Sequence, residues 1–305
     1  MRVVLVANQG SGFGRGGAVA GAAAGALKGL GATVEQINVG RGYPPVDLEA
    51  AIIGADATVV AGGDGTVLSV APACAAAAVP IYHLPAGNEN LFAREFGMDA
   101  NPARLARALQ RGRTTTCDVG RCGWSGAGHA SSPLPSRPFL LMASVGPDAG
   151  VVHRLHACRT RAVGHRAYAM PIVEELAGPA VSRVRVWCEG DPRPVIDGRG
   201  MLVVANCRQY ALRIDPCPEA NPGDGLLDAC FIPAETAVDA LAALVRLRLR
   251  CGGGDVVRAR AARMAVAIEP SARLQLDGEA AAIGGTAARL EFSIDRVPLL
   301  VIDVR

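Results

Sequence analysis

Apolar residues in the first third of the chain fall in short unbroken runs separated by longer helical stretches. Arg2–Ala7, Thr33–Val39, Ala57–Ala61 and Val79–Leu84 read as strands. Ala18–Leu30, Asp47–Ile53 and Val67–Ala78 read as helices between them, and Glu89–Phe96 and Pro102–Arg111 as two more. Fully apolar strands alternating with helices predict a sheet buried on both faces, an α/β layer fold. Beyond residue 120 the texture changes. Short β-like runs follow at Phe139–Val145, Val181–Cys188, Gly200–Ala205, Leu226–Ile232, Arg263–Ile268, Ala272–Leu276 and Leu299–Val304. Gly, Pro and Asp turns separate them, and helices are expected at His165–Leu176 and Thr236–Arg250. Many short strands predict a β-rich, sandwich-like domain. The expected organisation is an α/β nucleotide-binding domain over residues 1–120 and a β-rich domain over residues 121–305, the last strand able to pack back on the first domain. Gly123–Arg137, rich in Gly, Ser and Pro, reads as a solvated loop.

Composition narrows the classes. A chain of 305 residues carries a prior of about two domains. With 50% hydrophobic and 19% charged residues it has material for a sizeable core, which excludes intrinsic disorder. A formal charge of +3 gives no electrostatic case for nucleic-acid binding. Lys28 is the only lysine, so 30 of the 31 basic residues are arginine. A Walker-type loop needs Lys followed by Ser or Thr, and Lys28 precedes Gly29. The 9 cysteines include no C-x-x-C pair and read as small buried hydrophobes in a reducing compartment. The N-terminal apolar run is too short for a signal-peptide core, and the uncharged stretch Gly65–Asn88 is broken by Pro72, Pro80 and Pro85. A cytoplasmic protein without a transmembrane segment is expected, with a homodimer left open.

Two glycine-dense loops could carry chemistry. After the first strand, Gly12, Gly14 and Gly17 match G-x-G-x-x-G, and Glu35 stands where a ribose-binding acid belongs. This supports a nicotinamide-dependent oxidoreductase as an alternative. The more specific loop is Gly62-Gly63-Asp64-Gly65-Thr66, set directly between an apolar strand and a helix. Its glycines clear side chains from a helix N-terminus, so phosphate can reach backbone N–H groups. Asp64 would serve a Mg²⁺ ion or a hydroxyl, or cap the helix.

GGDGTV at residues 62–67 resembles the signature of the diacylglycerol kinase and sphingosine kinase catalytic-domain family, distantly related to NAD kinases. Asn8-Gln9-Gly10-Ser11-Gly12 is similar to its N-P-x-S-G loop, and Pro85–Arg94 to its P-x-G-T-x-N-D-F-A-R segment. Ser144–Ala149 resembles its G-x-D-A stretch; Gly164–Tyr168 and Asn206 to Tyr210 also fit. Asn221–Asp228 resembles its D-G-x-L-D motif, and Leu276-Asp277-Gly278-Glu279 its D-G-E motif. Two positions depart from the pattern: Asn88 stands for Thr and Leu91 for Asp.

The resemblance implies a Mg²⁺-dependent lipid kinase that passes the ATP γ-phosphate to a diacylglycerol-like or sphingoid-like lipid at a membrane surface, with ATP in the cleft between the domains. It places ATP on Asn8, Gly10, Ser11, Gly12, Gly62, Gly63, Asp64, Gly65, Thr66, Asn88 and Asp277. Glu279 would be the general base and Asp64 would orient phosphate or metal. A structural Mg²⁺ would sit on Asp224 with the carbonyls of Asn221 and Leu226. Asp277 and Glu279, two apart on a strand, would share a face. With lysine absent, Arg15 or Arg94 would help grip the phosphates. A non-catalytic nucleotide or lipid binder is a further reading. His153 and His156 read as ordinary surface or core histidines, and the arginines of Val245–Arg250 as suited to a helix C-terminus.

Overall fold

A computed structural model describes residues 1–40, 47–126, 136–158, 169–176, 181–249, 251, 255–281, 283 and 287–305. The chain forms two compact units, Met1–Asp118 with Arg296–Arg305, and Val119–Asp295.

The first unit contains β1 (Arg2–Asn8), α1 (Arg15–Gly29), β2 (Thr33–Val39), α2 (Leu48–Ile52), β3 (Ala57–Gly62), α3 (Asp64–Ala77), β4 (Ile81–Pro85), α4 (Leu91–Glu95), α5 (Pro102–Arg111) and β5 (Thr114–Cys117). The final strand of the chain, Leu299–Ile302, also belongs to it and is numbered β17. The sheet order is β2-β1-β3-β4-β17-β5. Strands β2, β1, β3 and β4 run parallel, and β17 is parallel to β4 but antiparallel to β5. Val3–Ala7 and all of β3 are buried, as their unbroken apolar runs require of central strands, whereas β2 at the edge is largely exposed. Because neighbouring strands are parallel, the loops after β1, β3 and β4 emerge at one edge of the sheet. Helix α3 starts at Asp64, earlier than the apolar pattern indicates, because Gly63 is extended and the helix follows it at once.

The second unit contains β6 (Gly120–Gly126), β7 (Ser136–Phe139), β8 (Met142–Val145), α6 (Pro147–Cys158), α7 (Ala169–Leu176), β9 (Arg183–Cys188), β10 (Ile196–Ala205), β11 (Leu227–Pro233), α8 (Ala237–Leu249), β12 (Val257–Ala261), β13 (Arg263–Ile268), β14 (Leu274–Leu276), β15 (Glu279–Ala281) and β16 (Ala287–Ile294). Its strands pair antiparallel in the order β15-β14-β8-β10-β9-β13-β16-β6-β7, with β11 between β10 and β12. Strand β13 alternates buried and exposed residues, turning Met264, Val266 and Ile268 into a core that includes Phe139, Leu202, Leu274 and Phe292. An α/β unit and a β-rich antiparallel unit are the classes predicted above. The solvated loop expected at 123–137 is instead partly strand, since Gly123 pairs with Ser136, while residues 127–135 lie outside the described residues. Gly164–Tyr168, and with it the start of the expected 165–176 helix, also lies outside them.

Candidate functional site

In the first unit, three loops lock together at the C-terminal edge of the sheet. Gly12 has φ +57°, and a Cβ there would stand 1.8 Å from the Ala86 carbonyl oxygen, so only glycine lets the first and third loops meet. A Cβ on Gly87 would lie 2.8 Å from Cα of Gly63, which joins the third loop to the second. Asn8 Nδ2 donates to Thr66 Oγ1 at 3.1 Å, and Ser11 Oγ sits beside Gly63. Asn90, in the left-handed region at φ 49°, both accepts from the Gly87 amide and donates to its carbonyl, each at 2.8 Å. Asn8, Gly10, Ser11, Gly12, Gly62–Thr66 and the exposed Asn88 therefore stand on three interlocked loops.

Asp64 is committed within this cradle. Its two carboxylate oxygens accept from the Leu91 and Phe92 amides, each at 2.9 Å, capping α4 from another helix. What Asp64 needs at position 91 is a main-chain N–H, so the Leu91 side chain is free to be apolar, and it is buried. Below the turn, His83 Nε2 lies 3.0 Å from the Gly62 carbonyl oxygen. A carbonyl only accepts, so Nε2 carries the proton. Burial pushes the imidazole below its ordinary value, and the nearby Asp64 charge and this hydrogen bond offset that only in part. His83, an ionisable residue in an otherwise apolar strand, is a contributor that the motif reading missed.

The dinucleotide reading loses its parts. Glu35 pairs with Arg2 at 3.0 Å instead of waiting for a ribose. A Cβ on Gly17 would make only ordinary contact, at 3.9 Å from Gln9. Arg15 Nε donates to the Gly12 carbonyl at 3.2 Å, and Arg94 lies 3.6 Å from Glu89, so both arginines have protein partners.

In the second unit, the D-G-E motif is a hairpin, not one strand. Asp277 and Gly278 join β14 to β15 with φ of 49° and 79°, the positive pair a tight Asp-Gly turn requires. The expected shared face of Asp277 and Glu279 is corrected accordingly. Asp277 turns inward: its carboxylate accepts from the Leu140, Leu141 and Met142 amides at 2.7, 2.9 and 2.9 Å. That commitment replaces its expected contact with ATP. Glu279 remains partly exposed, with His156 Nδ1 on α6 at 3.7 Å, and His153 Nε2 lies 2.8 Å from the Leu274 carbonyl oxygen.

A polar chain supports the same turn. Tyr210 Oη donates to Asp148 at 2.6 Å, and Ser144 Oγ donates to the same oxygen. Gln275 Nε2 donates to Ser144 Oγ at 2.8 Å, and its Oε1 accepts from the Gly278 amide at 2.7 Å. Burial pushes the Asp148 carboxyl up, against the hydrogen bonds from Ser144 and Tyr210. Gln275 has no motif of its own; its signal is a polar residue between Leu274 and Leu276.

The D-G-L-L-D loop carries a charge balance that does not suit a metal. One Asp224 oxygen accepts from the Leu226 amide at 3.0 Å and the other is paired with Arg260. Arg260 also lies 3.4 Å from Asp228, whose carboxyl burial pushes up. A guanidinium already neutralises the carboxylate on which a divalent ion would depend, so Asn221, Asp224 and Leu226 do not fit the expected Mg²⁺. Among the described residues no group of three or more His, Cys, Asp or Glu is placed to hold a metal.

Comparison with known proteins matches residues 2–122 to the diacylglycerol kinase catalytic domain, and residues 142–297 to the YegS C-terminal NAD kinase beta sandwich-like domain. A diacylglycerol kinase of Mycobacterium tuberculosis (strain ATCC 25618 / H37Rv) is 30% identical over 238 residues, 77% of this chain and 74% of the relative. The chain belongs to the diacylglycerol kinase family. A Pseudomonas putida relative named "Probable lipid kinase YegS-like" is 30% identical over 76% of this kinase-family chain and 72% of its own length. In fold, the chain is similar to a diacylglycerol kinase crystal structure from Bacillus anthracis str. Sterne, with TM-score 0.65, 15% identity and 99% and 96% of the two chains covered. It is also similar to yeast NADH kinase complexed with NADH, with TM-score 0.59, 9% identity and 99% and 83% covered.

Three outcomes follow from this geometry. Gly12→Ala should cost more than about 2 kcal/mol in urea unfolding, and Gly17→Ala close to nothing; equal losses would contradict the interlocked loops. Because His83 is held neutral, the unfolded chain takes up protons first on acidification. Stability should therefore fall as pH drops below the ordinary histidine value of 6.5 towards the lowered native one. Melting temperatures of wild type and His83→Gln across that window check this, the variant showing the shallower slope. Without nucleotide, added Mg²⁺ should leave the melting temperature unchanged, and a marked Mg²⁺-specific rise would restore the metal at Asp224.

Proposed function

We propose that the chain transfers the γ-phosphoryl group of ATP to a hydroxyl of a diacylglycerol-like or sphingoid-like lipid. The observation that carries this reading is the backbone cradle of the first unit, with the first turn of α3 opening into three loops locked on one another. Amide groups and the positive end of a helix suit a polyphosphate and need no lysine. ATP enters as its magnesium complex, which is the substrate. Asn8, Gly10, Ser11, Gly12, Gly62–Thr66 and Asn88 would hold its phosphates. Asp64 is a positioning residue here, since its oxygens fix the third loop against the second.

In the second unit, Glu279 is the base in this reading. It takes the proton of the acceptor hydroxyl as that oxygen bonds to the γ-phosphorus; the bond to the bridging oxygen breaks and ADP departs. His156, 3.7 Å from the carboxylate, is the neighbouring group able to receive that proton. Asp277 and Gln275 hold the turn that carries Glu279. The acceptor would be met at a lipid surface; among the described residues no helix is long and apolar enough to cross a membrane.

Transfer of labelled γ-phosphate to a panel of diacylglycerols and sphingoid bases tests this. Glu279→Gln should lower kcat by about a hundred- to ten-thousand-fold with ATP affinity kept, and Asp64→Ala should weaken ATP binding as well. A wild-type chain that binds ATP and yields no more product than Glu279→Gln is a binder, not a kinase.

A further inference from the structure

Helix α8 is apolar on two sides. Ala237, Ala240, Ala243 and Leu244 are buried against the second unit, as an amphipathic helix requires. Opposite them, Val238, Val245 and Leu249 are 54%, 49% and 64% exposed, and Leu241 and Ala242 are exposed beside them. At about 100° per residue, these five positions fill an arc of about 100°. Arg248 flanks that arc on one side and Arg246 on the other, and both are exposed. The patch extends beyond the helix. Leu212, 62% exposed and in the left-handed region at φ 56°, has its carbonyl held by Arg248 Nε at 3.1 Å, and exposed Arg213 follows it. The carboxylate on the exposed side of the helix is Asp239, and it is turned back onto the Thr236 amide and hydroxyl at the N-terminal cap.

We infer that this face of α8 with Leu212 is the surface by which the chain docks on an anionic lipid bilayer. An aliphatic stripe bordered on both sides by arginine is the arrangement of an interfacial helix, its apolar side chains sunk among acyl chains and its guanidinium groups at the phosphates. The charge is complementary to an anionic leaflet, and the patch's acid is already capped. The patch is far smaller than the roughly 20–30 residues a side of a stable protein dimer, whereas insertion into a bilayer needs only a few side chains. The helix dipole accounts for basic residues near the C-terminus, but not for the exposed aliphatic stripe between them. This inference rests on the lipid-kinase reading and names the surface through which such an enzyme would reach its acceptor.

The full chain is tested by flotation with vesicles of equal parts phosphatidylcholine and phosphatidylglycerol, and with phosphatidylcholine alone. Wild type should float with the mixed vesicles, less so as salt is raised, and hardly with the neutral ones. Val245→Glu with Leu249→Glu should lower the bound fraction at least about tenfold, and Arg246→Gln about fivefold on mixed vesicles only. The double variant should keep its melting temperature and its activity on dispersed short-chain diacylglycerol, and lose activity on vesicle-embedded acceptor. Equal flotation of wild type and double variant overturns the docking surface, as does wild type that does not float. So does a dimer in light scattering that the double variant makes monomeric, which would place a second copy on the stripe. Stripe-dependent flotation without phosphorylation of any lipid leaves the docking surface standing and removes the kinase reading. Kinase activity on dispersed lipid with stripe-independent flotation does the reverse.

Discussion

A carboxylate satisfying main-chain amides is the interaction on which both functional loops depend. Asp64 caps α4 with two amide bonds of 2.9 Å, and Asp277 accepts three from residues 140–142. A hydrogen bond to a charged group contributes about 1.5–3 kcal/mol, more than a neutral one, and several converging on one side chain fix a loop that glycine alone would leave loose. Each aspartate lies within a glycine motif. The glycines let the chain turn and approach closely, and the acid removes the freedom they introduce.

The second unit extends this logic inward. Tyr210, Asp148, Ser144 and Gln275 form a continuous chain ending on the Gly278 amide. Motifs far apart in sequence therefore meet at one hairpin, since Gln275 and Ser144 are separated by 131 positions. Burial that raises the Asp148 carboxyl is tolerable because two hydroxyls converge on it, and a fully connected buried network rigidifies where a broken one is costly. Glu279 follows immediately on a turn held from two directions.

How much of this was legible depends on what each signal reports. Parallel strands are visible because burial on both faces forces unbroken apolar runs, as in Val3–Ala7. Helix α6 is hidden because Pro147 and Gly150 mask its periodicity, and β16 because Ala287–Ile294 mixes charged and apolar residues. The aspartates of the motifs are legible, but not the direction they face. Spacing of two suggests a common strand face for Asp277 and Glu279 only while the turn between them is unrecognised. Leu91 looks like a lost carboxylate in the family pattern, yet the structure uses its amide. Arg260, His83 and Gln275 belong to no motif, because their roles arise from cross-strand neighbours that sequence order does not reveal.

The near-absence of lysine gives the arrangement its chemical character. A lysine is a strongly hydrated point charge, whereas a guanidinium is weakly hydrated and offers a planar fork of donors. Arg260 can therefore span Asp224 and Asp228, and Arg154 can serve Glu174 and Glu175. Where such pairs form, arginine acts as internal mortar between loops and sheets and leaves phosphate binding to main-chain amides. Where no carboxylate borders it, as along α8, the same fork is left facing outward, with planar phosphate recognition as its natural use. A chain that holds 30 arginines to one lysine thus separates two tasks by neighbourhood and not by residue type: paired arginines build the loops, and bordering arginines meet what lies outside.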